Sequence, residues 1–456
     1  MKIFTDILNS LQIDYSDSYS VQIEGKDPIL PTPFLLGEAS AAAQAAMGYA
    51  VSVLWFLKTQ RYQTVRIKVK EAAIALRSHQ YLRIVNNITP ELWDPISGFY
   101  QTKNNRWVQL HCNFPNHRQG VIATLRCQNS KPAVIKTVKN WEGEKLEAIL
   151  LEQGLCAALV RSADEWENHP QAKATRDLPL LEVVKINESS PEPLPTGNLP
   201  LSGIKVLDLT RVIAGPVGGK ILAQFGATVM SVTSPHLPFI LPLIIDNGFG
   251  KLSTQLDLNL PAEKEQLYKL IAKADIFLQA YRPQGLDHLG FSPHTLASKR
   301  PGIIYISLSA YAHQGPWSSY HGFDSLVQSA TGLVFEQSKN KLFPQHLPGQ
   351  ALDYIAGYLL AFGALEALRR RATEGGSYWV RVSLLQVATW LKNLKRVENY
   401  NDLNIPTRNQ LLNLLTQTVT SFGLIEHMLP VLHLSETPPT WSRSAVPLDT
   451  HPPRWP

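Results

Sequence analysis

Asp353 has the residue type and setting best suited to covalent chemistry. It stands in LPGQALDYIAGYLLAFGALEALRRR, where Pro348 and Gly349 close a loop and an apolar run of small residues begins. The spacing predicts a helix that opens at Asp353. A carboxylate there meets the positive end of the helix dipole and free N–H groups, so it is expected to stay ionised at neutral pH. Asp is also a preferred N-cap. Ala356, Gly357 and Gly363 leave room for a ligand or another chain beside the backbone, which tips the reading toward function. Asp324, in SYHGFDSLVQSATGL, opens a second helix after Gly322 and reads as a cap. His313 follows a strand at 303–309, at the end where ligands of parallel sheets gather. His111 and His117 lie near Cys112 at spacings that fit no zinc pattern. No G-x-S-x-G elbow and no H-E-x-x-H occurs, so serine hydrolase and zinc protease chemistry lack support.

The elements that would position these groups are readable from 201 onward. In LSGIKVLDLTRVIAGPVGGKILAQFGATVMSVT, a buried strand at 205–209 runs into a turn of small residues, a helix near 216–225 and a strand at 228–232. The glycines of that turn suit either phosphate contact or tight packing, since the spacing is not G-x-G-x-x-G. Strands at 275–279 and 303–309 and helices near 261–273 and 325–333 continue the alternation. That predicts an α/β fold with a doubly wound, Rossmann-like parallel sheet.

Before it, 1–186 is expected to form a smaller α+β domain. It has a long small-residue helix over 39–57, a strand at 64–69, a helix at 70–82, a hairpin at 98–102 and 107–111, and helices at 144–153 and 162–168. The Pro-rich stretch 187–200 reads as a linker, 201–395 as the sheet domain, and 396–456 as a helical and Pro-rich extended segment.

The segment 39–57 approaches membrane-spanning length, but its polar residues predict a buried helix. The first residues include early acids and no long apolar core, unlike a secretory signal. Three cysteines without paired spacing point to a reducing compartment, and a cytoplasmic location is expected. The net charge of +6 is dispersed, which argues against nucleic acid and is compatible with an anionic small ligand.

Residues 38–73 align with 353–388 without a gap, at an offset of 315. Ala41 matches Ala356, Gly48 matches Gly363, and Val65–Arg66 match Val380–Arg381. Glu38 then occupies the place of Asp353.

Six blocks in order resemble the family III CoA-transferases, which include formyl-CoA transferase, carnitine CoA-transferase and alpha-methylacyl-CoA racemase. They are the stretch at 201–229, NGFGKLSTQLDL, ADIFLQAYRPQGLDHLGFS, PGIIYISLSAYAHQGPW, GFDSLVQSATGL and ALDYIAGYLLAFGALEALRRR. DPISGFYQTKNNRWVQLH and EWENHPQAKATR resemble the family's smaller domain, here placed before the CoA-binding domain instead of after it. The resemblance implies transfer of CoA between an acyl-CoA thioester and a carboxylic acid through an aspartyl mixed anhydride, with Asp353 as nucleophile. It also implies that Arg211, Val212, Ala214, Lys251, Tyr281, Arg282 and Phe323 lie in loops that contact CoA. No prosthetic group or metal is expected; the CoA thioester is the substrate. The partners expected are acyl-CoA, a small carboxylic acid and a second copy in a homodimer, possibly an interlocked one unless the duplication builds a pseudo-dimer in one chain. The other readings are a non-catalytic or partner-dependent CoA-binding protein and an acyl-CoA racemase or carnitine-dehydratase-like enzyme; two-base racemisation is disfavoured because Phe323, where the racemases carry His, cannot exchange a proton.

Overall fold

The computed structural model describes residues 1–339 and 342–456. Its centre is a seven-stranded sheet. In chain order the strands are β1 (Leu181–Asn187), β2 (Lys205–Asp208), β3 (Thr228–Thr233), β4 (Lys251–Gln255), β5 (Ile276–Gln279), β6 (Ile304–Ser309) and β7 (Ser377–Ser383). They lie in the order β4-β3-β2-β5-β6-β7-β1. All pairings are parallel except β7 with β1, which is antiparallel. The chain winds outward from β2 to β4, then returns to begin again at β5. The crevice between the carboxyl ends of β2 and β5 is therefore the topological switch point, where such sheets bind ligands.

Strands β2, β3, β5 and β6 fall where the apolar runs predict them. Strand β1 arises from LEVVKIN, inside the stretch read as the end of the smaller domain, so this segment adds a strand to the large sheet. The end of the chain departs from the helical expectation over 396–456. Beyond a 3-10 turn at Arg408–Leu414 it forms strands Leu415–Thr420 and Gly423–Met428, antiparallel to each other, and the second also pairs antiparallel with Arg83–Ile84. The β-branched Thr416, Thr418, Val419 and Thr420 and the turn at Gly423 favour this hairpin over a helix. Past it the Pro-rich tail runs along the sheet's β4 edge. His451 N–H donates to Ser253 O at 2.8 Å, and Gln255 N–H to Asp449 Oδ1 at 3.0 Å. An edge strand is thereby covered.

Two 24-residue helices, α1 (Leu36–Thr59) and α2 (Ala351–Glu374), pack side by side in the core. Both are long and apolar enough to cross a membrane, but both are largely buried within the protein. Their first residues differ by 315 positions, as the alignment requires, and so do those of the helices Val69–Ala75 and Leu384–Asn393 that follow. Gly48 lies against Val65, where a Cβ would meet Val65 Cγ1 at 2.7 Å; Gly363 lies against Val380, where the same construction gives 2.5 Å. The sequence repeat is thus a repeat of structure, down to matched glycine–valine contacts.

Candidate active site

Helix α3 (Ala214–Gln224) crosses α2 at very short range. A Cβ on Gly357 would lie 2.8 Å from Ala214 O, and one on Gly219 would lie 2.4 Å from Asp208 Oδ2. The glycines after β2 thus serve close helix–helix and helix–strand packing. That packing carries the first turn of α2, with Asp353, to the carboxyl ends of β2, β5 and β6.

There the chain encloses a cleft of about 1120 Å³. Ligand pockets for compact molecules typically measure roughly 300–1,000 Å³, so this one suits a long ligand. Of the eight site residues expected from sequence, it brings seven together: Asp353, Arg211, Val212, Ala214, Tyr281, Arg282 and Phe323 all line it. Val212 adopts φ 74°, rare for a β-branched residue, at the turn leaving β2, and its carbonyl accepts from Asn247 Nδ2 at 3.2 Å. Neither Arg211 nor Arg282 has a carboxylate partner among the described residues. Arg211 donates to Pro238 O and lies over the Phe114 ring at 5.3 Å. Burial lowers its pKa. Arg282 donates to Ser319 O at 3.3 Å. Two unneutralised guanidiniums in one cleft make it a site for anions.

Lys251 is elsewhere. Its ammonium is buried, 2.7 Å from Asp208 Oδ2 and 2.7 Å from Pro216 O. It lines not the large cleft but an adjoining chamber that Arg211 and Val212 also border, and its charge is held there by the buried Asp208 at the end of β2. His313 is also outside the cleft, 3.7 Å from Glu182 across the β7–β1 edge.

Asp353 is 8% exposed and Asp324 is 1% exposed. Asp324 Oδ2 accepts the Asp353 N–H at 3.0 Å, and its Oδ1 accepts from Gln328 Nε2. Gln328 Oε1 in turn accepts the Leu347 N–H at 2.8 Å. The expectation that Asp353 stays ionised is corrected here. Burial first, and the neighbouring Asp324 charge second, hold its pKa well above the usual carboxylate range. Burial lifts Asp324 to about 7, against the hydrogen bonds it accepts. A helix dipole supplies up to ~2 kcal/mol, whereas full burial can shift a carboxyl by ~3–5 units, several kcal/mol, so burial wins. Asp324, which accepts hydrogen bonds from Gln328 and from the Asp353 N–H, is the one of the pair that ionises first.

Sequence reasoning left out the other wall. His79, Trp93, His111, Phe114 and His117, all from the segment before the linker, face the site. His111 stacks on Phe323 with ring centroids 3.9 Å apart. Burial lowers its pKa to about 3, so it is a neutral imidazole. His79 receives α2 through Tyr354, whose hydroxyl lies 2.9 Å from His79 Nδ1. The failed zinc spacing had left His111 and His117 without a role, and only long-range folding brings them to Asp353. Behind Asp353 a small inner pocket of about 40 Å³ is lined by His111, Phe323, Ser325 and Gln350, among others. Asp353 borders both spaces.

A doubly wound sheet with an anion-binding cleft at its switch point defines a nucleotide-type ligand site. The comparisons with known proteins point to one family: residues 201–422 match the model of CoA-transferase family III. A probable fatty acyl-CoA transferase of Mycobacterium tuberculosis is 34% identical over 214 residues, 44% of this chain and 54% of that protein. An acetyl-coenzyme A transferase of Hypoxylon pulicicidum is 26% identical over 436 residues, 84% of this chain and 73% of that protein. A solved hypothetical protein of M. tuberculosis is 34% identical with a TM-score of 0.41, over 43% of this chain and 58% of that one. The chain spans about half the length of most of the curated relatives it matches.

Proposed function

We propose that the chain is an acyl-CoA:carboxylate CoA-transferase with Asp353 as nucleophile. An Asp353 oxygen attacks the thioester carbonyl carbon, the C–S bond breaks, and CoA leaves as thiolate. The thiolate then attacks the aspartyl carbonyl of the mixed anhydride, releasing the first acid and leaving CoA on Asp353. A second carboxylate takes over in the same two steps, ending as the new thioester with Asp353 free. Every bond broken is matched by one formed, so the cycle consumes no oxidant or other reactant. Arg211 and Arg282 would hold the anionic part of CoA, and Tyr281 and Phe323 its flanks.

One observation carries this reading: a buried carboxyl borders, at the switch point, a cleft whose free charges are cationic. The names of the related proteins point the same way. The cleft is walled by both halves of one chain, which favours an enzyme complete in its site over half of a split one. A homodimer is part of the proposal. Because α1 and α2 already pack on each other within one chain, its contacts would use other surfaces, and gel filtration reads its mass.

A second reading, a non-catalytic CoA-binding protein, is favoured by the raised pKa of Asp353, since a protonated carboxyl is a poor nucleophile. Asp353→Asn separates the two. Loss of CoA transfer to acetate with CoA affinity kept supports the transferase. No transfer by the unaltered chain over a broad acyl-CoA panel, with CoA still bound, supports the binding protein.

A further inference from the structure

The inner pocket behind Asp353 bears on which acyl group the site takes, and this step rests on the transferase reading above. By the measure in which one water needs roughly 10–15 Å³, its 40 Å³ admits about three non-hydrogen atoms. Two residues of its lining each hold a buried polar atom without a hydrogen-bond partner among the described residues, Ser325 Oγ and His111 Nδ1. Ser325 is 1% exposed and His111 5%. A polar atom left unpaired in a buried wall is a standing cost that a ligand hydroxyl or carbonyl relieves. Among the described residues no lysine or arginine lines the pocket, while Asp324 and Asp353 both do. A second carboxylate on the acyl group would therefore be repelled.

We propose that the inner pocket selects a short acyl group, about three non-hydrogen atoms beyond the carbonyl, that carries an uncharged hydroxyl or oxo substituent bonded by Ser325 and His111. The stacking of His111 on Phe323 fixes the ring that supplies one of these contacts. A long aliphatic chain has no place here. The neighbouring chamber of about 60 Å³ near the β3 and β4 ends, which shares Val212, Ile240 and Leu243 with the inner pocket, does not itself border Asp353.

The full-length chain is assayed for CoA transfer to acetate from lactyl-, propionyl-, succinyl- and palmitoyl-CoA. Lactyl-CoA is expected to exceed propionyl-CoA about tenfold or more in kcat/KM, the worth of one to two buried hydrogen bonds, with succinyl- and palmitoyl-CoA far below. In Ser325→Ala and, independently, His111→Asn, the lactyl-to-propionyl ratio is expected to fall about tenfold. Fastest transfer from succinyl- or palmitoyl-CoA overturns the pocket assignment and leaves the transferase standing. So does a lactyl-to-propionyl ratio near one, or one that both variants preserve. No transfer from any of the four overturns the pocket assignment together with the transferase reading.

Discussion

The backbone N–H of Asp353 donates to Asp324 Oδ2 at 3.0 Å, so one buried carboxyl seats the other at the head of α2. The same arrangement recurs in the repeat: Asp27 Oδ2 accepts the Glu38 N–H at 2.8 Å at the head of α1, and burial raises Asp27 to about 6. Each long helix thus begins on a pair of carboxyls. At α2 Asp353 borders the large cleft and both carboxyls border the inner pocket; the pair at α1 lines none of the cavities described above.

Asp324 controls the pH dependence. Nucleophilic attack needs Asp353 without its proton, so transfer is expected to rise with pH through and above about 7. Asp324→Asn removes a negative neighbour, which lowers the Asp353 pKa and moves the rise toward lower pH. A pH–rate profile of kcat in both proteins checks this; an unmoved profile would show that the two groups do not interact.

Stability carries the same signature. The folded state holds Asp324 protonated up to about 7, the unfolded chain only to about 4. Folded chains then bind more protons between these values, so this contribution is full below about 4 and is lost as pH rises to about 7. The neutral buried histidines, His111 near 3 and His79 near 4, work in the opposite sense and lose stability as pH falls. Subtracting the melting temperatures of Asp324→Asn from those of the unaltered chain isolates the carboxyl term, and the difference is expected to shift in favour of the unaltered chain as pH falls from 8 to 5.

Among the described residues Arg211 and Arg282 have no acid to satisfy them, so their loss should register in ligand affinity. Arg211→Ala is expected to raise KM for an acyl-CoA about ten- to a hundredfold, the worth of one charge-assisted contact, and to weaken the salt dependence of binding. Lys251→Met should behave differently. It strands buried Asp208 without its cation and is expected to cost about 3–5 kcal/mol of stability in urea unfolding.

Glu38→Gln should leave CoA transfer intact. Glu38 Oε1 accepts the Asp27 N–H at 3.1 Å, a cap contact worth about 1 kcal/mol, read as a small drop in urea midpoint. A fall in kcat instead would mean that the second carboxyl pair has a part in the chemistry.

Much of the fold is legible in the sequence because each signal is local. The 315-residue offset predicts both long helices, and the apolar runs predict β2, β3, β5 and β6. Strand β1 and the C-terminal hairpin escape because their pairing partners lie far along the chain. The site divides in the same way. Arg211, Tyr281 and Arg282 follow strands directly and can be placed by counting from them. The inward turn of Lys251 depends on Asp208, 43 residues away, and the proton on Asp353 depends on Asp324, 29 residues away. His111 reaches the pocket only through a stack on Phe323, which no spacing rule describes.

Covalent trapping tests the central claim most directly. The chain is incubated with an acyl-CoA at pH 8, treated with hydroxylamine or borohydride, digested and weighed by mass spectrometry. Conversion of Asp353 to its hydroxamate or alcohol, at one site per chain and with Glu38 untouched, is the result predicted. An unmodified Asp353 in protein that is turning over acyl-CoA, or a label on another residue, would contradict it.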